Sequence, residues 1–267
     1  MRSLHPPRTN LMDLNSITPV IITWNEEPNI ERCLERLQWA QEILVVDSGS
    51  TDRTLELCRS NSKVNVLTRE FDDFANQVNF GIERVTTPWV LTLDADFILS
   101  EQFPDELQSI PKDCPEAGFK SRFVYCIEGA PLRGTLYPPR TVLFRKGSPT
   151  YVQDGHGHRL INDEPSRLLE TRIEHDDRKP LDRWFSSQAN YAKQEASKLS
   201  QPSSEKLPIQ DRLRQQIWPM VPVIFIYTLI GKGVILDGWK GWFYALQRTY
   251  AELLLSLELL KIKLGVD

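Results

Sequence analysis

The chain has 267 residues, 40% hydrophobic and 25% charged, which is length enough for one large domain or two small ones. Its formal net charge is −4, so no global basic field argues for nucleic acid. Cys33, Cys58, Cys114 and Cys126 are scattered without a C-x-x-C pair, which fits a reduced compartment better than a disulfide framework or a zinc site.

Residues 1–16 hold Pro6, Pro7, Arg8 and Asn10 and read as a flexible tail without the apolar stretch of a signal peptide. Ile17 to Thr23 is the first strand. Asn25-Glu26-Glu27-Pro28 opens a helix, with proline suited to its first position and the acids to its positive end. Ile30, Cys33, Leu34 and Leu37 give that helix one buried face. Glu42 to Asp47 is a second buried strand ending in a carboxylate, and Ser48-Gly49-Ser50-Thr51-Asp52 is a polar turn with helix-capping residues. A short helix through Leu55 and Cys58, a strand at Lys63 to Leu67 and an amphipathic helix through Phe74, Val78, Ile82 and Val85 follow. Alternating strands and helices predict a mostly parallel sheet with right-handed crossovers.

Trp89-Val90-Leu91-Thr92-Leu93-Asp94-Ala95-Asp96 is the next strand, and it runs into two carboxylates. An unbroken apolar run is the pattern of a strand covered on both faces. In extended chain Asp94 and Asp96 project to the same side, at the strand end where open α/β sheets bind ligands. Close like charges are costly unless a cation lies between them, and hard divalent cations take oxygen ligands. Taken alone, D-x-D also fits a solvated surface turn. A dinucleotide fold would need G-x-G-x-x-G after the first strand, and Thr23-Trp24-Asn25-Glu26 is not that.

Thr23-Trp24-Asn25-Glu26-Glu27, Val45-Val46-Asp47-Ser48-Gly49-Ser50-Thr51-Asp52 and Leu93-Asp94-Ala95-Asp96 together resemble the successive signatures of family 2 glycosyltransferases. The likeness is strong over residues 17–99 and is greatest to the branch that includes lipopolysaccharide-core glucosyltransferases. It implies the GT-A fold, a Rossmann-like α/β sheet flanked by helices. It implies a nucleotide-sugar donor, a divalent cation (Mn²⁺ or Mg²⁺) and an inverting single displacement. By that resemblance Thr23, Asn25, Glu26 and Asp47 line the nucleotide pocket. Asp94 sits near the ribose or the metal, and Asp96 binds the metal at the diphosphate. Phe74-Ala75-Asn76-Gln77-Val78-Asn79 matches the family's F-G-x-Q-R-N at Phe74, Gln77 and Asn79. Val78 in place of Arg removes a positive charge expected near the donor. His175 is a candidate to complete the metal shell.

Residues 118–161 are strand-rich, with Phe119 to Tyr125 and Thr141 to Arg145 the clearest strands. Inversion needs one general base. Tyr151-Val152-Gln153-Asp154-Gly155-His156-Gly157-His158-Arg159 holds the candidates, Asp154 first and His156 as its rival. Lys179 to Leu199 is a predicted helix, and residues 200–205 read as a linker.

The segment 206–267 differs in kind. Ile217 to Ile230 is apolar but broken by Pro219 and Pro222, too short for the roughly 20 residues of a spanning helix. Trp242, Leu246, Tyr250, Leu253, Leu257, Leu260 and Leu264 then recur at helical spacing, and Trp218 and Trp239 add to the aromatics. From Lys206 to Lys263 there are eight Lys/Arg against four Asp/Glu. That mixture suits an interfacial membrane helix, with packing on protein or a homo-oligomer interface as the alternative.

The expectation is a cytoplasmic hexosyltransferase, peripheral on the inner face of the cytoplasmic membrane. Its acceptor would be a lipopolysaccharide core or other lipid-linked glycan. The catalytic domain spans 17–199, with a nucleotide-sugar half at 17–99 and an acceptor half at 100–199. A nucleotidyltransferase and a non-catalytic sugar-nucleotide sensor are the rival readings.

Overall fold

The computed structural model describes residues 10–147, 150–155, 157–161, 165–201, 209–217 and 219–266, with the backbone alone at His158. His156, Trp218, Lys206 and most of the expected linker and tail lie outside the described residues.

Strands β1 (Ile17–Thr23) and β2 (Ile43–Asp47) flank helix α1 (Ile30–Glu35), and α2 (Thr54–Ser60) leads to β3 (Val64–Thr68). Helix α3 (Phe74–Arg84), β4 (Trp89–Asp94), β5 (Phe97–Leu99) and α4 (Phe103–Gln108) follow. Then come β6 (Gly118–Ile127), β7 (Ala130–Pro131), β8 (Arg140–Arg145), β9 (Thr150–Asp154), β10 (Gly157–Ile161) and β11 (Ser166–His175). The rest is helical: α5 (Leu181–Ser200), α6 (Ile209–Gln215), α7 (Met220–Ile226) and α8 (Trp239–Leu264).

The main sheet runs β3-β2-β1-β4-β8-β6-β11-β5. Its first half is parallel, as the sequence pattern requires, with Thr23 beside Asp47 and Ile22 beside Asp94. Beyond β4 it turns antiparallel, β8 against β4 and β5 against β11. The sheet is therefore mixed, the shape of a GT-A fold with helices on its faces. Strand β11 went unread because Ser166 to His175 is mostly polar, its apolar residues only Leu168, Leu169 and Ile173, without a clear period of two.

Alternation explains the continuous apolar runs. Ile17, Ile21, Ile43, Val45, Leu91 and Leu93 fill one core with α1 and α4. Val20, Leu44, Val46 and Val90 fill the other with Ala75, Val78 and Ile82 of α3. Each fully buried Val, Leu or Ile contributes about 1.5–3 kcal/mol. Helix α3 seats close on the sheet at Gly81, where a Cβ would lie 2.6 Å from Val20 Cγ1 and 2.8 Å from Val46 Cγ2.

Two compact units emerge. The first comprises the described residues within 1–123, 137–152 and 159–178; the second, those within 124–136, 153–158 and 179–267. In the second, Ala192, Ala196 and Leu199 of α5 pack with Ile217, Leu255 and Leu259. Tyr125 and Leu132 pack with Val234, Tyr244 and Ala245, and the Tyr244 hydroxyl accepts from Leu136 N at 3.0 Å. No helix among the described residues is long and apolar enough to cross a membrane.

Candidate functional site

The loops after β1 and β2 are locked together by their own signature residues. Asp47 is fully buried, and its Oδ1 accepts from Gly49 N at 2.9 Å and Ser50 N at 2.8 Å. Its Oδ2 accepts from Thr23 Oγ1 at 2.9 Å and Ser50 Oγ at 2.5 Å. Gly49 adopts φ +87°, which glycine allows, and the turn wraps the carboxylate. Asn25, itself at φ 54°, accepts at Oδ1 from Thr51 N at 2.6 Å and donates its amide to Ser50 Oγ at 2.7 Å. Glu26 N donates to Thr54 Oγ1 at 2.7 Å, and Glu27 N to Asp52 Oδ2 at 3.1 Å.

Thr23 and Asp47 thus bond to each other and to the loop itself. Four donors already occupy the Asp47 carboxylate, so it shapes the loop rather than offering lone pairs to a nucleotide.

Gln77 and Asn79 are likewise internal. Gln77 is fully buried, its Nε2 donating to Ser48 Oγ at 2.8 Å and its Oε1 accepting from Arg69 Nη1 at 2.8 Å. Asn79 clamps strand β9: its Nδ2 donates to Tyr151 O at 2.9 Å and its Oδ1 accepts from Tyr151 N at 3.0 Å. The Tyr151 hydroxyl shares a 2.8 Å hydrogen bond with Thr92 Oγ1, and burial pushes its pKa up to about 12.

Asp94 and Asp96 do not share an extended segment. Pairing in β4 ends at Asp94, and Ala95-Asp96 form a turn before β5. That turn delivers Asp96 to the end of β11, where its Oδ2 meets His175 Nε2 at 3.2 Å. Burial pulls His175 down, but the Asp96 charge and hydrogen bond, with Asp94 and Asp177 behind them, outweigh it and raise its pKa. The rings of Phe97 and Tyr137 hold the imidazole edge-on at 5.4 and 4.8 Å. Burial first, and then the Asp96 and Asp94 charges, raise the Cys33 thiol far above its ordinary range. A nucleophilic thiolate is thereby excluded there.

A metal shell can be tested on these atoms. Among the described residues no three His, Cys, Asp or Glu side chains converge as a metal cluster. One carboxylate and one imidazole 3.2 Å apart do suit two adjacent positions on a divalent cation, whose neighbouring ligands lie about 3 Å apart at bonds near 2.1 Å. Such an ion takes its remaining ligands from substrate phosphates and water. The residues fit as the protein side of a site that substrate would finish.

Sequence reasoning missed the brace behind this pair. Asp176, next to His175, is 2% exposed and is bound by Arg32 Nη1 at 2.7 Å and Arg178 Nη2 at 2.8 Å. Asn29, fully buried, donates to Glu26 Oε2 at 2.8 Å and Asp177 Oδ1 at 2.9 Å, and accepts from Arg178 N at 2.8 Å. The brace ties the Asn25–Glu26 loop to the His175 end of β11. The bonds that cross between the two segments join residues 144 or more apart in sequence, which leaves no local signal. Trp24 was also passed over; its 54% exposure beside Asn25 leaves an apolar ring at the site.

Asp154 belongs to the second unit, where its Oδ1 pairs with Lys198 Nζ at 2.7 Å. Gly155 beside it adopts φ +62°, and a Cβ there would meet Glu195 Oε2 at 2.0 Å.

A half-parallel, half-antiparallel sheet with two interlocked polar loops and a carboxylate–imidazole pair at the strand ends is the frame of a GT-A fold. Residues 18–134 match the family described as Glycosyl transferase family 2. It is 34% identical over 84 residues to the lipopolysaccharide core biosynthesis glycosyltransferase LpsC of Rhizobium meliloti, covering 30% of this chain and 31% of that one. It is 30% identical over 120 residues to the poly-beta-1,6-N-acetyl-D-glucosamine synthase of Staphylococcus aureus, covering 42% of this chain and 29% of that one. The matches thus span about a third of these curated relatives. The mannosyltransferase PcManGT of Pyrobaculum calidifontis, solved with GDP-Man and Mn²⁺, shares the fold at TM-score 0.54 and 15% identity, over 99% of this chain and 91% of that one.

Proposed function

We propose that this protein is a metal-assisted, inverting hexosyltransferase. It moves a sugar from a nucleoside-diphosphate sugar to a hydroxyl of a lipopolysaccharide-core or other lipid-linked glycan. The observation that carries the reading is the Asp96–His175 pair, 3.2 Å apart, beside the loops cross-linked through Asn25 and Asp47. The names of the relatives support the cell-envelope acceptor.

In this reading the loops that carry Trp24, Asn25 and Glu26 receive the nucleoside, and Asp94 takes the ribose side or the cation. Asp96 and His175 hold the divalent cation, which when bound supplies Lewis-acid stabilisation of the departing diphosphate, on the order of several kcal/mol. The Arg32–Asp176 brace keeps His175 aimed at Asp96. An acceptor hydroxyl attacks the anomeric carbon from the face opposite the diphosphate and gives its proton to a base. Asp154 is that base, with His156 as the rival. To serve, Asp154 shares its carboxylate with Lys198 or exchanges that partner for the acceptor. Residues 17–99 form the donor half and 100–199 the acceptor half. The enzyme works as a peripheral protein on the inner face of the cytoplasmic membrane.

The test is a thermal-shift panel of nucleotide sugars with and without Mn²⁺, since a ligand bound only by the folded state raises its stability. It is followed by product analysis with the ligand that responds. Cation-dependent stabilisation and release of nucleoside diphosphate are expected. Release of pyrophosphate instead would make the protein a nucleotidyltransferase.

A further inference from the structure

The apolar residues that recur at helical spacing along α8 do not face a core. Trp239, Leu246, Leu253, Leu257 and Leu264 are 87%, 55%, 43%, 52% and 69% exposed. The helix buries its opposite side, through Tyr244, Ala245, Leu255 and Leu259. The outward stripe from Trp242 to Leu264 is about 33 Å long at 1.5 Å per residue. At its start the turn from α7 adds Ile230 and Leu236, 63% and 70% exposed. Scattered exposed leucines are ordinary, but a continuous stripe of this length marks an interaction surface.

Charge selects the occupant. Helix α8 carries Lys240, Arg248, Lys261 and Lys263 against Glu252 and Glu258. Glu252 is turned inward and is neutralised by Arg214 Nε at 3.2 Å. Asp237, in the preceding turn, is held by Arg133 Nε at 3.2 Å. Lys240, Lys261 and Lys263 stay exposed, so both ends of the stripe are basic. A second copy laid along α8 sets lysine against lysine in either direction. An anionic lipid surface meets both ends with the opposite sign, and Trp239 and Trp242 suit its headgroup level.

We propose that α8 lies in the plane of an anionic membrane, with the Trp242–Leu264 stripe sunk at the headgroup boundary and Lys240, Lys261 and Lys263 on lipid phosphates. This deepens the membrane-facing part of the proposed function, but its test needs no sugar donor, so failure of the transferase reading leaves it standing.

The test is flotation of the full chain with vesicles of phosphatidylcholine alone or mixed with phosphatidylglycerol. Binding to the anionic vesicles is expected, with each of Lys240→Gln, Lys261→Gln and Lys263→Gln weakening it about fivefold, the equivalent of about 1 kcal/mol per basic residue. The exposed triple variant Leu246→Ser, Leu253→Ser, Leu257→Ser should keep its helix content and lose binding by at least about tenfold. Brominated lipid should quench wild-type tryptophan fluorescence, and Trp239→Phe with Trp242→Phe should remove most of that quenching. Full-length protein that stays with the soluble fraction overturns the proposal, as does equal binding to both vesicle types. So does a lipid-free dimer in sedimentation that the triple serine variant dissociates, which would make the stripe an interface between copies.

Discussion

Replacing Asp47 separates a residue that holds the nucleotide from one that holds the loop. In Asp47→Ala, the amides of Gly49 and Ser50 and the hydroxyls of Thr23 and Ser50 lose their acceptor together. The hydroxyls can turn to other partners; the two amides cannot. Hydrogen bonds to a buried charge are worth about 1.5–3 kcal/mol each, so losing the two amide bonds should cost the variant about 3–6 kcal/mol. That is a large share of a typical stability of about 5–15 kcal/mol, but it leaves a folded protein. Asp47→Asn keeps one carbonyl oxygen for the amides and points its NH₂ at hydroxyls that can accept, so its cost should be about 1–2 kcal/mol. Urea unfolding followed by circular dichroism should show the alanine midpoint lowered by about 1–2 M at an unchanged slope. Calorimetry below the transition should show nucleoside diphosphate and nucleotide sugar weakened by similar factors, because the loop and not a sugar contact is lost. An alanine variant within about 0.5 kcal/mol of wild type would refute the reasoning, since that is the cost of an ordinary surface change.

Asn79→Ala frees both backbone bonds to Tyr151; we expect a loss of about 1–3 kcal/mol by the same urea assay, with donor affinity retained. Asp96→Asn should keep the fold and abolish the Mn²⁺-dependent part of any donor-induced thermal shift, and undiminished turnover in that variant would remove the metal role. Tyr151 is raised from 10.0 to about 12 by burial, so the unfolded chain loses this proton first as pH rises. Stability from this group is complete below pH 10 and falls by roughly 2–3 kcal/mol by pH 12. Tyr151→Phe should flatten that part of the stability–pH curve relative to wild type.

The parallel half of the fold was legible because its strands obey a local rule. Ile43 to Val46 is apolar at every position, and alternate residues enter two different cores. The loop signatures were legible as sequence but not as roles. Asp47, Gln77 and Asn79 are polar residues near a cleft, and only their distances reveal that they hold Ser50, Ser48 and Tyr151. The pairing of Asp96 with His175 joins a turn to a strand end 79 residues on, which no periodicity encodes. Helix α8 kept its spacing and carries its apolar stripe outward; such a stripe states that it is sticky and not what it sticks to.

The same distinction governs charge at the donor side. Val78 stands where the resemblance expects arginine, and Val78 is 4% exposed in the core under α3. A guanidinium nevertheless reaches that neighbourhood from the end of β3. Arg69 N donates to Asp47 O at 3.0 Å, and its Nη1 donates to Gln77 Oε1 at 2.8 Å. Its bidentate bonds to Asp72, 2.7 and 2.8 Å, hold that carboxylate well below the usual range and offset the positive charge. The cation removed from one helix position is therefore present from another element, already paired. A fixed, paired guanidinium orients Gln77 and so Ser48, whereas an unpaired one would bind phosphate directly. The Arg69–Gln77 and Arg32–Asp176 contacts thus brace the two polar loops and the Asp96–His175 pair from separate elements of the fold.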